Sequence, residues 1–533
     1  MQTLSKPLRT LRRYGALLLV LLVIAGVCLL FSHRKAGMFI DEVYTYGLSN
    51  SYYAPYLRDA AGGTLIDQTL TRQDLLDYVT VGDEGISLDS VVYNQEMDVH
   101  PPLYYWLFHL VSALTPGVFS KWTGLVLDGL FYLWTCVLLY RLVLTLYGSR
   151  LNAAATAALY GLSAIGLSTM LMIRMYVLMA ALTVLLALLV ARLMKGPKGW
   201  LYPAVGLTIF LGLMTQYYFV FYAFFLCALY VFRALFHRDF KGAALFFVCA
   251  FAGVGLLLVC FPACLDQLFA EKLVSGGNAL ENLRDLSQYP ARLVAMLQRL
   301  RHGTHAAILL SPVLVLGVLL CGKGVRRAAK AGRLHWEGLL ILAPALIAFP
   351  LVAVISPVSE DRYLYNLIPI LFTALSLPLH LIEEGLGEKA KPDGVKAAAL
   401  LAILALALWE ARTVPPDYLY PEYRDYDAAL APYAGAPCVY MTDDYYSPIT
   451  QDLLQLLTFE DFFVTGDPAS EKLDEYLEKR TDDTCVVYID RSEYWASGFK
   501  PEEMLPRLVE TTPYTGWEPL YENGLSATYV LTK

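Results

Sequence analysis

Apolar runs long enough to cross a hydrocarbon core as helices recur along this chain, separated by short clusters of Lys and Arg. No soluble core absorbs so many fully apolar stretches, so the sequence reads as a polytopic α-helical membrane protein. Its balance of 57% hydrophobic and 17% charged residues agrees. The first run, in "MQTLSKPLRTLRRYGALLLVLLVIAGVCLLF", follows a basic start, and the "SHRKAGMFIDE" after it lacks a small-residue cleavage site. It reads as a retained signal anchor.

Lys and Arg near helix ends resist translocation, which orients the rest. Lys6, Arg9, Arg12 and Arg13 put the N-terminus in the cytosol. The basic clusters Arg141–Arg150, Arg192–Lys198, Arg233–Lys241, Lys323–Arg333 and Lys389–Lys396 then fall in cytosolic turns. The spans become 14–31, 122–140, 151–171, 175–193, 201–214, 217–234, 243–262, 304–321, 337–355, 363–382 and 396–411, about eleven crossings of the plasma membrane that export the C-terminus. Counting "HPPLYYWLFHLVSALTPG" (100–117) as a further crossing would reverse every later turn. It therefore reads as a juxtamembrane or re-entrant helix on the outer face, with Pro101 and Pro102 in its first turn.

Residues 1–411 thus form a transmembrane domain with exported loops at 32–121 and 263–303, the second holding a surface helix in "LENLRDLSQYPARLVAMLQRL". Residues 412–533 form a small exported α/β domain, in which "PCVYMT", "FFVT", "TCVVYID" and "ATYVLT" alternate with helical stretches. That tail carries 23 acidic against 9 basic side chains, which argues against nucleic acid as a partner. Whether its Cys438 and Cys485 pair is left open by spacing alone. The sequence has neither a P-loop nor a G-x-G-x-x-G between strand and helix, so ATP-driven transport and dinucleotide chemistry have no support.

With sides assigned, the polar residues near helix ends share one face: Asp41 and Glu42 with Tyr44 in "FIDEVYTYG", Asp98 and His100 with Pro101, Tyr104 and Trp106 in "DVHPPLYYW", Arg174 and Tyr176 in "IRMYVL", Gln216 and Tyr217 in "TQYYFV", and Asp361, Arg362 and Tyr363 in "SEDRYLYN". Each alone has a structural reading: a solvated cap, an arginine reaching lipid phosphate, a loop histidine, an internal ion pair, an interfacial aromatic belt. Together they suit group transfer from a lipid-linked donor. Nucleotide sugars are not expected outside the cell, so an exported transferase needs a sugar carried on a polyprenyl phosphate. Breaking the anomeric bond leaves phosphate charge for Arg174 or Arg362 to stabilise. Attack by a hydroxyl acceptor needs a carboxylate base, which Asp41 or Glu42 can supply.

The "FIDEVYTYG" and "DVHPPLYYW" elements resemble the first exported loop of the protein O-mannosyltransferases and their bacterial relatives. "RMYVL" and "EDRYLYNLIPIL" are similar to later elements of bacterial glycosyltransferase 39 proteins of the glycosyltransferase C superfamily; together the likeness covers roughly 14–382. The resemblance implies an inverting, mannosyltransferase-like hexosyltransferase of the cell envelope, with Asp41 as base and Glu42 assisting at the acceptor or orienting the loop. His100 and Pro101 shape the donor pocket, Arg174 and Tyr176 face the lipid phosphate, and Arg362 and Tyr363 line the same cavity. Tyr44, Asp98, Tyr104, Gln216, Tyr217 and Asp361 contact sugar or acceptor. No lysine follows the His-Pro-Pro element closely, and the tail lacks a β-trefoil repeat, so acceptor recognition differs from protein mannosylation. No cofactor is required; Asp41, Glu42, Asp98, His100, Glu360 and Asp361, or His302 with His305, could hold a divalent metal. Two other readings stay open: a transporter or flippase for a lipid-linked glycan, with ionisable residues at mid-bilayer, and a noncatalytic envelope assembly protein.

Overall fold

Every apolar run expected to span forms a helix in the structure, a computed structural model that describes residues 6–57, 64–269, 286–387, 392–443, 446–491 and 499–533. The start of the basic turn at Lys389 and residues 281–285 of the expected surface helix lie outside the described residues. The chain is a multi-pass membrane protein. Among the described residues eight helices are long and apolar enough to cross a bilayer, or up to ten if each of two bent helix pairs is one span. The eleventh expected span, 201–214, is the thirteen-residue apolar helix Leu201–Leu213.

The chain divides into two compact units. One comprises residues 1–32, 99–104 and 125–417; the other 33–98, 105–124 and 418–533. In the first, helix Tyr176–Lys195 is the most enclosed span, with 83% of its apolar window buried. The short helix Leu201–Leu213 packs along Phe240–Cys260 at a glycine crossing. A Cβ on Gly206 would collide with the Cys249 carbonyl oxygen, and one on Gly253 with that of Gly206. Without a hydrophobic drive between helices in lipid, such close backbone approach is what holds a crossing together.

The span expected at 151–171 is bent by 62° between Arg150–Gly161 and Ala164–Leu171, where Ser163 caps the second half by accepting from the Gly166 N–H at 3.2 Å. The surface helix expected near 289–303 is observed as Tyr289–His302, turned 85° from the following apolar helix His305–Leu320. Both bends are tied to one buried carboxylate in the last span: Glu410 accepts from Ala164 N at 3.2 Å and from Ala306 N at 2.6 Å. These are first-turn donors that lack intrahelical partners.

The second unit is built on a six-stranded sheet ordered β1-β3-β2-β4-β6-β5. Strands β2 (Cys438–Met441), β3 (Asp461–Thr465), β4 (Thr484–Asp490) and β6 (Ser526–Thr532) coincide with the runs read from the sequence. Two were not anticipated. Strand β5 (Gly516–Glu522) is mostly exposed and polar, and β1 (Gln68–Thr71) comes from the first loop, pairing antiparallel with β3. The parallel β3-β2-β4 core buries Val439, Phe463, Cys485, Val487 and Ile489 beneath Leu473, Leu477, Leu505 and Leu508. Cys438 and Cys485 are both free and buried. Cys438 pairs in register with Val486, so the period of two along a strand sends the neighbouring Cys485 to the opposite face.

Residues 32–121 also form four helices, of which α2 (Ile40–Asn50), after helix α1 (Lys6–Arg34), matters most. Then come α3 (Arg72–Val79), α4 (Leu88–Glu96) and α5 (Leu103–Ser112). Tyr46 of α2 sits edge-on between Phe108 and Phe119, at 4.7 and 4.9 Å between ring centres, and its hydroxyl donates to Ser120 O. Helix α5 is only ten residues long, and Pro101 and Pro102 precede its first turn rather than occupying it.

Gly206→Ala and Gly253→Ala should each destabilise the protein by about 1–3 kcal/mol, the scale of overpacking against unyielding backbone. Gly255→Ala, on the same helix with open space at its Cβ position, should be neutral or slightly stabilising. Thermal unfolding of the three variants in detergent checks this; equal losses would mean the crossing is not tight.

Candidate active site

The two adjacent carboxylates at the start of α2 are placed very differently. Phe39 caps the helix, and Glu42, in its first turn, reaches back to accept the Phe39 N–H at 2.7 Å. Glu42 also pairs with Lys35 at 2.9 Å, and both side chains are fully buried. Lys35 donates further to Tyr418 O at 2.7 Å and lies 5.3 Å from the Tyr420 ring centre. Asp41, one residue earlier on the same turn, is only half-buried. It sits where the positive end of the helix dipole favours an anion. Tyr44, one turn on, hydrogen-bonds Ser447 through its hydroxyl at 2.6 Å and stands edge-on to Tyr56. Asp98 belongs to the same unit, half-buried just past α4.

The remaining candidates belong to the helical unit. Arg174 is buried in the break between Ala164–Leu171 and Tyr176–Lys195. Tyr176 opens the second helix, and its ring stands edge-on to Tyr363 at 6.4 Å and Tyr365 at 6.1 Å. Tyr363 also faces Tyr218 at 5.1 Å, and the Arg362 guanidinium lies 5.3 Å from the Tyr363 ring centre while pairing with Glu360 at 2.8 Å. These rings and this guanidinium thus form one continuous cluster. Gln216 accepts the Tyr217 N–H through its side-chain carbonyl, and the Tyr217 hydroxyl donates to Gln267 at 2.6 Å. His100 is half-buried and Pro101 buried. Tyr104 is fully enclosed, its hydroxyl donating to the buried Asp128 at 2.8 Å, while the Leu103 N–H donates to Met214 O. Those two bonds hold Leu103 and Tyr104 within the helical unit.

Asp361 shares a single 3-10 turn with Arg362 and Tyr363 but has its own surroundings. It is buried, 3.3 Å from the Tyr365 hydroxyl and 4.0 Å from Arg299. Burial first, and the nearby Asp417 second, push its carboxyl up to about 6. Among the described residues no group of three or more His, Cys, Asp or Glu is arranged to hold a metal ion. Lys35, Tyr218 and Glu410 escaped the sequence-level list of site residues, and Glu360 enters it only as a possible metal ligand. Tyr218 and Glu360 adjoin residues on that list, whereas nothing in the local sequence marks Lys35 as the partner of Glu42.

No protein-family model matches the chain, and no curated protein matches its sequence. Solved structures do match. ArnT from Cupriavidus metallidurans in the apo state aligns with a TM-score of 0.53 at 12% identity, covering 97% of this chain and 98% of that one. The same protein bound to undecaprenyl phosphate aligns at 0.51, with the same identity and coverage. The chain shares its fold with ArnT over nearly the whole length of both chains. The archaeal oligosaccharyltransferase AglB from Archaeoglobus fulgidus, in complex with an inhibitory peptide and a dolichol phosphate, aligns at 0.44 with 14% identity over 97% of this chain and 74% of that one. The polytopic helical fold with a small C-terminal sheet region, expected from the sequence, is the fold observed.

Two outcomes test the assigned environments. Lys35→Met strands the Glu42 carboxylate and should cost about 3–5 kcal/mol, whereas the double variant Lys35→Met/Glu42→Gln should recover much of that loss in thermal unfolding. Asp361 keeps its proton in the fold well above the range of an exposed carboxyl, so its contribution to stability is largest in acid and is lost as pH rises through about 6. Asp361→Asn should therefore raise the unfolding midpoint relative to the parent at pH 8 and leave it nearly unchanged at pH 4.

Proposed function

We propose that this protein is an inverting glycosyltransferase that moves a monosaccharide from a polyprenyl-phosphate carrier to a hydroxyl acceptor on the outer face of the plasma membrane. The observation that carries the reading is the alignment, over nearly the full length of both chains, with an ArnT structure bound to undecaprenyl phosphate. The first-loop carboxylates give it a mechanism. The acceptor hydroxyl attacks the anomeric carbon, the bond from that carbon to the phosphate oxygen breaks, and the proton passes to Asp41. Polyprenyl phosphate departs as an anion, and Arg174 and Arg362 stabilise its charge. Direct displacement inverts the anomeric centre.

Asp41 is the base because it is the member of the pair that solvent and acceptor reach. Glu42 is a positioning residue: its bonds to Lys35 and to the Phe39 N–H fix the turn that presents Asp41. Tyr176, Tyr218 and Tyr363 provide aromatic faces for the sugar or the lipid beside Arg362. The basic turns support a cytosolic N-terminus and an exported tail.

Transfer from a panel of polyprenyl-phosphate sugars by the purified full-length protein tests the proposal. Asp41→Asn preserves shape but lacks the basic oxygen, so it should lower transfer roughly 10²-fold or more while undecaprenyl phosphate binding persists. Arg174→Lys should weaken donor binding, because an ammonium cannot reproduce a planar two-point grip on phosphate. Parent-level transfer by Asp41→Asn would remove Asp41 as the base.

A further inference from the structure

Four stretches far apart in sequence close a cavity of about 320 Å³ at one end of the helical unit: the start of helix Ala164–Leu171, the end of helix Tyr289–His302, Asp361, and Pro415 with Asp417. Its frame is rigidly made. Ile165 N donates to Gly303 O at 3.1 Å, Asp417 N donates to the Ser168 hydroxyl at 2.9 Å, and Glu410 holds the N–H groups of Ala164 and Ala306 from below. The polar lining is mixed. Asp361 and Asp417 bring carboxylates, Arg299 a guanidinium, His302 an imidazole, and Gln298 an amide. Small apolar residues, Ala164, Ala295 and Gly303, form the rest of the wall.

That mixture selects its ligand. An anion would face two carboxylates, and a simple cation would face the guanidinium that already stands 4.0 Å from Asp361. A hydroxylated ring has groups that both donate and accept, and it needs both kinds of partner around it. The volume is at the low end for small-molecule sites and suits a single ring rather than a chain. The location adds a second argument. Asp361 faces this cavity, while the next two residues of the same turn, Arg362 and Tyr363, belong to the aromatic cluster of Tyr176 and Tyr218.

We propose that this cavity binds a saccharide ring of the acceptor, so that one 3-10 turn carries an acceptor contact at Asp361 and donor contacts at Arg362 and Tyr363. The assignment rests on the glycosyl-transfer reading above. Asp361 lines the cavity and, as a carboxylate near neutral pH, accepts from a ring hydroxyl. Asp417, Gln298 and His302 supply the remaining bonds.

The test is binding of methyl glycosides of hexoses and N-acetylhexosamines to the full-length protein in lipid nanodiscs, followed by saturation-transfer NMR, with undecaprenyl phosphate titrated separately. At least one glycoside should bind saturably. Asp417→Asn should weaken it about tenfold or more, as expected for the loss of a charge-assisted hydrogen bond. Ala295→Phe, which fills the cavity from a helix surface, should abolish it, and undecaprenyl phosphate affinity should stay at the parent value in both. Gln298→Ala, at an exposed position, gives a third reading that does not depend on folding of the other two. Absence of any glycoside binding by a parent protein that binds undecaprenyl phosphate would overturn the cavity assignment and leave the transferase standing. Binding of ethanolamine in place of glycosides, or glycoside binding unmoved by all three variants, would overturn it too. Glycoside binding without undecaprenyl phosphate binding would support the saccharide cavity and sink the donor reading instead.

Discussion

A carboxylate inside an apolar helix must be satisfied by the protein, because lipid offers it nothing. Glu410 meets that requirement with two backbone N–H groups, each from the exposed first turn of a different helix. The converse holds as well. Helices that begin abruptly after bends of 62° and 85° present unpaired donors, and a buried anion is the partner that best offsets their dipoles. The carboxylate and the two bends therefore require one another, and removing either leaves buried polar groups uncompensated. The cavity beside Asp361 is framed at these bends, by the start of helix Ala164–Leu171 and by the end of helix Tyr289–His302 with Gly303.

Hydropathy over a bilayer's thickness is a strong, local signal, and each of the eleven expected spans falls on helix, although among the described residues eight helices, or up to ten with each bent pair taken as one, are long and apolar enough to cross. The bends were not legible in the sequence. Leu162–Ser163 and Gly303–Thr304 look like ordinary positions, and what breaks the helices there is Glu410, about 100 or more residues away along the chain. The sheet shows the same division. Runs such as "TCVVYID" are buried on both faces and announce themselves, whereas β1, "QTLT", is short and polar and becomes a strand only because β3 offers it an edge. Its register with β3, Gln68 opposite Val464 through Thr71 opposite Asp461, joins a stretch before residue 98 to the tail in one unit. No composition shift within either segment could reveal that.

Candidate site residues divide along similar lines. Motif spacing drew attention to Asp41 and Glu42 as a pair, and the resemblance already set their expected roles apart; what only three-dimensional context reveals is how differently they are buried and partnered. A fully buried carboxylate needs a counter-charge, and Lys35 provides it from seven residues upstream across the turn that leaves the anchor helix. Tyr104 shows the opposite outcome: its place in a His-Pro-Pro element suggested a sugar contact, yet its hydroxyl is engaged by Asp128 and its ring is enclosed. In the stretch after the first span, then, the residues that hold the backbone in place are as prominent in the motif as those proposed to touch substrate.

That division suits the reaction proposed. The lipid tail of a polyprenyl-phosphate donor confines its phosphate to the membrane interface, so the base must lie close to that plane. Carried too far into the bilayer, a carboxylate would be neutralised by desolvation; carried far out on a mobile loop, it could not be held to within the fraction of an ångström that proton transfer needs. The chain leaves α1 at Arg34 and begins α2 at Ile40, so Asp41 stands within a few residues of the anchor's end. A connection this short would still swing if it were tethered at one end only. The Lys35–Glu42 pair ties the first residue after the anchor to the first turn of α2, and Lys35 also binds Tyr418 O, in the tail of the same unit. The buried ion pair is costly to desolvate and adds little net stability of its own. What it provides is a fixed first turn of α2 beside Asp41.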